Sequence, residues 1–312
     1  MTKKLAFVFP GQGSQSLGML SELAQQFPAI TATFAEATAV LGYDLWQLTQ
    51  TGPDTELNRT EKTQPALLAG SIALWRIWQN QQGLQPKLLA GHSLGEYTAL
   101  VCAEALDFAD AIQLVAERGK FMQEAAPGGI GVMAAIVGLD DKQVQKICAE
   151  NADHEVLAPA NFNAIGQVVI AGHFAAVKRA VAKASEQGAK MAKLLPISVP
   201  SHCALMKPAA ERLAIRLEHI RLRTPKIPVI HNKDVNFHSH PDDIRAALVA
   251  QLYSPVRWVE TILLMVAEGM QQAVECGPGK VLSGLSKRIS DNLPTVPMHT
   301  PEQLLQVLEQ NK

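Results

Sequence analysis

The sequence predicts an α/β protein: a large domain built on a parallel sheet covered by helices, hydrolase-like in its core, with a smaller ferredoxin-like α+β domain inserted into it. Three observations predict this. Short, almost wholly apolar runs such as Leu5 to Phe9 read as strands buried on both faces, and they alternate with helix-length amphipathic segments that serve as crossover connections. The breaker cluster Pro127-Gly128-Gly129 interrupts that alternation, and the segment after it spells β-α-β-β-α-β, the order of a split βαβ unit. At 312 residues the chain also exceeds the usual size of one domain, which suits a large unit carrying an inserted one.

In chain order, the first strand spans 5–9 and ends at Pro10-Gly11, a tight turn. Helical periodicity follows over 16–26, 30–41 and 64–82, and 87–92 reads as a second buried strand that stops at Ser93. Helices over 94–105 and 107–125 close the first half. The inserted segment reads as strand 131–137, helix 140–151, strands 155–160 and 167–171, helix 173–187 and strand 190–195, with Pro196 and Pro200 marking the return. The remainder reads as helices 203–219, 241–252 and 255–267, a strand at 272–276, a helix at 279–289, a short strand at 295–298 and a last helix at 301–310. The expected division is 1–126 with 199–312 as the large domain and 127–198 as the small one.

Composition narrows the function. Hydrophobic residues make up 47% against 18% charged, enough to offset chain entropy with a sizeable core. The formal net charge of -1 is too balanced for the broad positive field that nucleic-acid binding uses. Cys102, Cys148, Cys203 and Cys276 lack CxxC spacing, so they read as reduced, mostly buried thiols and no metal site is expected. Only five apolar residues precede Pro10, fewer than a secretory core needs, and no later stretch approaches a membrane span, so the expected location is cytoplasmic.

Gly91-His92-Ser93-Leu94-Gly95 fits G-x-S-x-G where a strand meets a helix, the context that this nucleophile motif requires. The turn projects the serine hydroxyl, and the Leu94 N–H at the helix start faces the same place, where an oxyanion would develop. The competing role is a helix cap, because Ser93-Leu94-Gly95-Glu96 also satisfies the S-x-x-E capping box. Capping does not call for two flanking glycines, so the nucleophile is the better reading. Gly11-Gln12-Gly13-Ser14-Gln15 follows the first strand at the same sheet edge and is the candidate source of a second oxyanion donor. It is no dinucleotide fingerprint, since Ser16 stands where the last glycine belongs.

A serine hydroxyl needs a base, most often histidine. His202, in Val199-Pro200-Ser201-His202, sits where the chain re-enters the large domain and is the candidate base, although position alone favours a surface or packing role. His92 projects from a strand end to the side opposite Ser93 and is assigned to packing. His238-Ser239-His240 lacks a third ligand and reads as a solvated loop. On helix 107–125 the inward stripe Phe108, Ala111, Ile112, Val115 continues into Arg118. That guanidinium either receives a carboxylate ligand, forms an internal ion pair, or snorkels to water.

Taken together these residues resemble the malonyl-CoA:acyl-carrier-protein transacylase family, discrete enzymes of bacterial-type fatty acid synthesis. The resemblance spans nearly the whole chain. It rests on Phe9-Pro10-Gly11-Gln12-Gly13-Ser14-Gln15, Gly91-His92-Ser93-Leu94-Gly95-Glu96-Tyr97, Arg118-Gly119, Val199-Pro200-Ser201-His202, Gln251-Leu252 with Pro255-Val256-Arg257-Trp258, and Glu275-Cys276-Gly277-Pro278-Gly279. It implies Ser93 as the acylated nucleophile, His202 as its base, the Gln251 backbone carbonyl as the group orienting His202, and the N–H groups of Gln12 and Leu94 as the oxyanion hole. It further implies that Arg118 binds the free malonyl carboxylate and that Asn161 lines the cleft from the small domain. The implied partners are malonyl-CoA and an acyl carrier protein, with coenzyme A a substrate rather than a cofactor, no nucleic acid, no membrane, and a monomeric state.

Because such carriers are acidic, Lys190, Lys193, Lys287 and Arg288 are expected to form a basic docking surface. Two other activities fit the same elbow: a serine hydrolase or thioesterase, and a carrier-binding module that has lost its chemistry. A methylmalonyl donor is a further possibility for the first reading, since pockets discriminate one methylene by only about 1–3 kcal/mol.

Overall fold

The computed structural model describes residues 3–196 and 199–311. Among the described residues nine strands form two sheets: β1 (Leu5–Phe9), β2 (Leu88–Gly91), β3 (Gly131–Val137), β4 (Leu157–Ala164), β5 (Gln167–His173), β6 (Met191–Leu194), β7 (Val229–Ile230), β8 (Gln272–Glu275) and β9 (Thr295–Pro297). The larger sheet has the order β7-β2-β1-β8-β9 with every pairing parallel. All residues of β1, β2 and β8 are buried, which is why β1 and β2 carry no polar side chain instead of alternating, while β8 keeps only Ala273 and Val274 apolar between Gln272 and Glu275. Leu5, Phe7 and Phe9 point to one face, where Phe7 meets Trp75 and Trp78 edge-on at 5.4 and 5.1 Å. Ala6 and Val8 point to the other face, against Trp258, Ile262 and Met265.

The second sheet is antiparallel, in the order β4-β5-β3-β6. Its period-2 pattern divides the labour of its faces. Ala134, Ile136, Val168 and Ile170 pack under the helices Asp141–Asn151 and Phe174–Glu186, while Met133, Ala160, Val169 and Ala171 turn the opposite way. A two-way backbone link joins this sheet to the rest: Val256 N–H donates to Ala160 C=O and Phe162 N–H donates to Val256 C=O, both at 2.9 Å. The fold is therefore α/β with a covered parallel sheet and a second antiparallel α+β unit. The expected boundary at 198 falls on residues 197–198, outside the described residues.

Several elements differ in extent from the sequence reading. The helix expected over 16–26 is confined to Ser21–Gln26, because Gly18 and Leu20 adopt positive φ and hold the preceding segment in turns. The helix expected over 203–219 opens as a short 3₁₀ turn, Ala204–Met206, before the α-helix Lys207–Glu218 starts with Pro208 in its first turn. The helix Leu45–Thr51, capped by the Asp44 side chain on Gln47 N–H at 2.8 Å, and the two-residue strand β7 were too short to show a period. No helix among the described residues is long and apolar enough to cross a membrane.

Candidate active site

The turn between β2 and the helix Gly95–Cys102 carries Ser93 at a φ of 52°, in the left-handed region. For a residue with a side chain that conformation costs about 1–2 kcal/mol. The flanking glycines make it sterically feasible. A Cβ on Gly91 would lie 1.8 Å from the Gly95 carbonyl carbon, and one on Gly95 would lie 2.0 Å from the Phe9 carbonyl oxygen. Two adjacent backbones therefore pass too closely for any side chain, and Ser93 is forced outward between them.

The hydroxyl so presented does not cap the helix, which has no side-chain cap. It lies 2.8 Å from His202 Nε2 and accepts from Arg118 Nη2 at 3.3 Å. The Ser93 backbone N–H donates to Asn232 Oδ1 at 2.7 Å, so the Glu96 half of a capping box is not formed either.

His202 is 3% exposed and stands at a φ of 62°, its backbone N–H donating to Leu252 C=O at 3.0 Å. Its Nδ1 is 2.9 Å from the Gln251 backbone carbonyl. A carbonyl only accepts, so Nδ1 carries the proton and Nε2 is left to accept from the Ser93 hydroxyl. Burial, aided by the nearby Arg118 charge, pushes the His202 pKa down to about 3. The imidazole is thus neutral near pH 7 and able to take a proton.

Arg118 is 1% exposed, which removes the snorkelling alternative. Nη1 donates to Gln64 Oε1 at 2.7 Å and Nη2 to Gln251 Oε1 at 3.0 Å, while the guanidinium carbon stands 5.3 Å from the centroid of the Tyr97 ring. Burial lowers its pKa, yet an arginine stays charged in proteins. Arg118 takes part in none of the ion pairs among the described residues, so an internal ion pair is not its role. Gly119 brings its helix, Phe108–Ala125, onto the helix Thr60–Asn80: a Cβ there would lie 2.6 Å from the Glu61 Cα, and this approach puts Gln64 beside Arg118.

These groups share a cleft that is open to solvent and lined by Gln12, Ser93, Leu94, Arg118, Asn161 and His202. Gln12 is fixed through its side chain, which accepts from the Thr60 hydroxyl at 2.9 Å. Asn161 is 6% exposed on β4 and forms one wall with Met133 and Val169. The structure thus brings all six together, with the Gln251 carbonyl immediately behind His202. His92 also borders the cleft, but its ring is engaged elsewhere than with the Ser93 hydroxyl: its Nε2 is 2.8 Å from Asn163 Oδ1, its ring 5.5 Å from that of Trp258, and burial lowers its pKa. His238 Nε2 is 2.9 Å from Asp234 Oδ2, and no group of three or more His, Cys, Asp or Glu among the described residues is arranged to hold a metal ion.

Three polar neighbours were not singled out from sequence. Gln64, 1% exposed, interrupts an apolar helix face just as Arg118 does and could have been found by the same rule. Glu96, fully buried, sits inside the serine motif itself. Asn232 follows β7 in a stretch with no local pattern. Chemically, the arrangement joins an activated hydroxyl, a neutral imidazole of fixed tautomer and a buried positive charge within one cleft.

The acyl transferase domain family model matches residues 6–294. The chain is 56% identical over 306 residues to the malonyl CoA-acyl carrier protein transacylase of Escherichia coli strain K12, covering 98% of this chain and 99% of that protein. Among solved structures, it matches a malonyl-transacylase in complex with its type II PKS acyl-carrier protein at a TM-score of 0.98 and 54% identity, covering 99% of this chain and 100% of that one. The malonyl CoA-acyl carrier protein transacylase of Coxiella burnetii superposes with a TM-score of 0.98 at 50% identity, covering 100% of this chain and 98% of that one. With the match extending along both sheets, the chain belongs to the malonyl-CoA:acyl-carrier-protein transacylase family of acyl transferases.

Proposed function

We propose that this protein moves a malonyl group from malonyl-CoA to the phosphopantetheine thiol of an acyl carrier protein through an ester on Ser93. The observation that carries this reading is the Ser93 hydroxyl set between His202 Nε2 at 2.8 Å and the buried Arg118 guanidinium at 3.3 Å. A base on one side makes the oxygen a nucleophile. A positive charge on the other side, held by neutral amides, selects a donor that brings its own carboxylate.

In the first half-reaction Ser93 Oγ attacks the thioester carbon as His202 Nε2 takes its proton, and the oxyanion is met by the N–H groups of Gln12 and Leu94. The carbon–sulfur bond then breaks, and His202 returns the proton to the departing coenzyme A sulfur. In the second half the carrier thiol gives its proton to His202 and attacks the Ser93 ester, and Ser93 regains its proton as it leaves. The Gln251 carbonyl holds the imidazole in the tautomer that both halves need. Arg118 keeps the malonyl carboxylate fixed throughout, and Asn161 lines the approach from the antiparallel unit, taken as 127–198 against 1–126 with 199–312.

Coenzyme A enters as a substrate, and the chemistry asks nothing of a resident cofactor. Four free, buried thiols accord with a reducing, cytoplasmic location.

Intact-mass measurement after mixing with malonyl-CoA tests the reading. A malonyl adduct is expected that Ser93→Ala abolishes and that transfers to carrier faster than it releases free malonate. Release of malonate in place of carrier acylation would make the protein a hydrolase.

A further inference from the structure

A buried hydrogen-bond network lies directly behind the serine turn, and Asn232 is at its centre. Asn232 is 0% exposed. Its Oδ1 accepts from Ser93 N–H at 2.7 Å and its Nδ2 donates to Gly91 C=O at 2.7 Å, so one side chain bridges the backbone on both sides of His92. Asn232 is itself held by a carboxylate. Its backbone N–H donates to Glu96 Oε2 at 2.9 Å, and the same oxygen accepts from Gln251 Nε2, also at 2.9 Å. The other carboxylate oxygen, Glu96 Oε1, is 2.8 Å from His231 Nδ1. Gln251 Nε2 also donates to Ser93 C=O at 3.0 Å, and the Gln251 carbonyl is the acceptor for His202 Nδ1.

One carboxylate therefore ties together the segment that carries the nucleophile and the segment that orients the base. The left-handed φ of Ser93 gives this tie a specific task. Rotation about the Ser93 N–Cα bond swings Cβ, and with it Oγ, away from His202 Nε2, and the unconstrained backbone of a non-glycine residue favours that rotation. Asn232 opposes it by pinning the amide on one side of the bond.

We propose that Asn232 is a positioning residue for the Ser93 hydroxyl, anchored by the buried Glu96 carboxylate that also fixes Gln251. The proposal rests on the reading of Ser93 as the acylated group. Ser93 is only half-buried, so losing Asn232 allows its N–H to find water and costs orientation more than stability.

The test is the single-turnover rate of malonyl-enzyme formation, followed by intact mass over a range of malonyl-CoA concentrations in wild type, Ser93→Ala, Asn232→Ala, Glu96→Ala and Glu96→Gln. Thermal midpoints are measured in parallel. For Asn232→Ala the maximal rate is expected to fall about 100-fold while the half-saturating concentration stays within about 3-fold, because Arg118 keeps Gln64 and Gln251. Glu96→Ala is expected to behave alike, and Glu96→Gln to recover most of the lost rate, since an amide oxygen still accepts from Asn232 N–H.

A folded Asn232→Ala protein with a maximal rate within about 3-fold of wild type overturns the proposal. So does a half-saturating concentration that rises in step with the rate loss. If Asn232→Ala does not fold, the Glu96 pair decides: failure of Glu96→Gln to restore what Glu96→Ala loses overturns it. A malonyl adduct persisting on Ser93→Ala would instead sink the underlying reading of the function.

Discussion

His202 Nε2 lies 2.8 Å from the Ser93 hydroxyl, although the two residues are 109 positions apart and the whole antiparallel unit intervenes between them in the chain. His202 is held there by Gln251 and Leu252, whose backbone carbonyls engage its Nδ1 and its backbone N–H. A neutral, buried imidazole on a strained hydroxyl has measurable consequences.

The first concerns pH. With its pKa pushed down to about 3, His202 remains neutral and basic well below the ordinary histidine value of about 6.5. The kcat/KM for malonyl-CoA, which reports the free enzyme, should stay flat from pH 8 to about 5. An inflection near 6.5 would show that the base titrates as an ordinary histidine. The folded pKa lies below the unfolded one, so the unfolded state binds more protons in between. The contribution of His202 to stability is therefore full above about pH 6.5 and is lost as pH falls toward 3. Urea titrations should show a shallower acid loss in His202→Asn than in wild type.

Arg118 should decide which donor is used. Arg118→Ala is expected to lower kcat/KM for malonyl-CoA by at least about 2 kcal/mol, roughly 30-fold, the lower end for truncating a buried charge partner. The rate with acetyl-CoA, which has no carboxylate to bind, should fall far less. Equal losses with both donors would mean that Arg118 shapes the cleft without reading the substrate.

The serine turn should tolerate no added methyl. Gly95→Ala places a Cβ 2.0 Å from the Phe9 carbonyl oxygen, a backbone atom with nowhere to go. Overpacking of this kind costs about 1–3 kcal/mol or more, so a lowered midpoint in calorimetry and loss of acylation are both expected. Wild-type stability in that variant would show that the turn can shift.

Carrier docking should depend on surface charge. Lys287 and Arg288 are exposed just beyond the helix Val281–Ser286, whose first residue borders the cleft, and Lys190 and Lys193 are exposed just before and within β6. Reversing Lys287 and Arg288 to Glu should raise KM for the carrier several-fold at low salt while leaving acylation by malonyl-CoA unchanged, and added salt should shrink the difference. An unaltered KM for the carrier would place docking elsewhere.

Much of this protein was legible from local pattern. Apolar strands such as Leu5–Phe9 are recognisable because burial on both faces removes every polar residue from them, and the shift to β-α-β-β-α-β after Pro127 announced the second sheet. Ser93 was legible because the turn needs Gly91 and Gly95, and Arg118 because it breaks an apolar stripe. The two-residue strand β7, the short helix Leu45–Thr51 and the 3₁₀ turn at Ala204–Met206 were not, since each spans too few repeats of its period to be recognised.

What the sequence by itself determined was which segments become strands and helices and which residue is forced outward at the tightest turn, because both follow from side-chain periodicity and from the absence of a Cβ. Only the tertiary structure decided that Asn232 grips Ser93 and Gly91, that Glu96 faces Asn232 and Gln251 instead of closing a cap, and that Arg118 rests on neutral amides without a carboxylate. A hydrogen bond depends on distance and direction between groups far apart in the chain, and no local pattern encodes either.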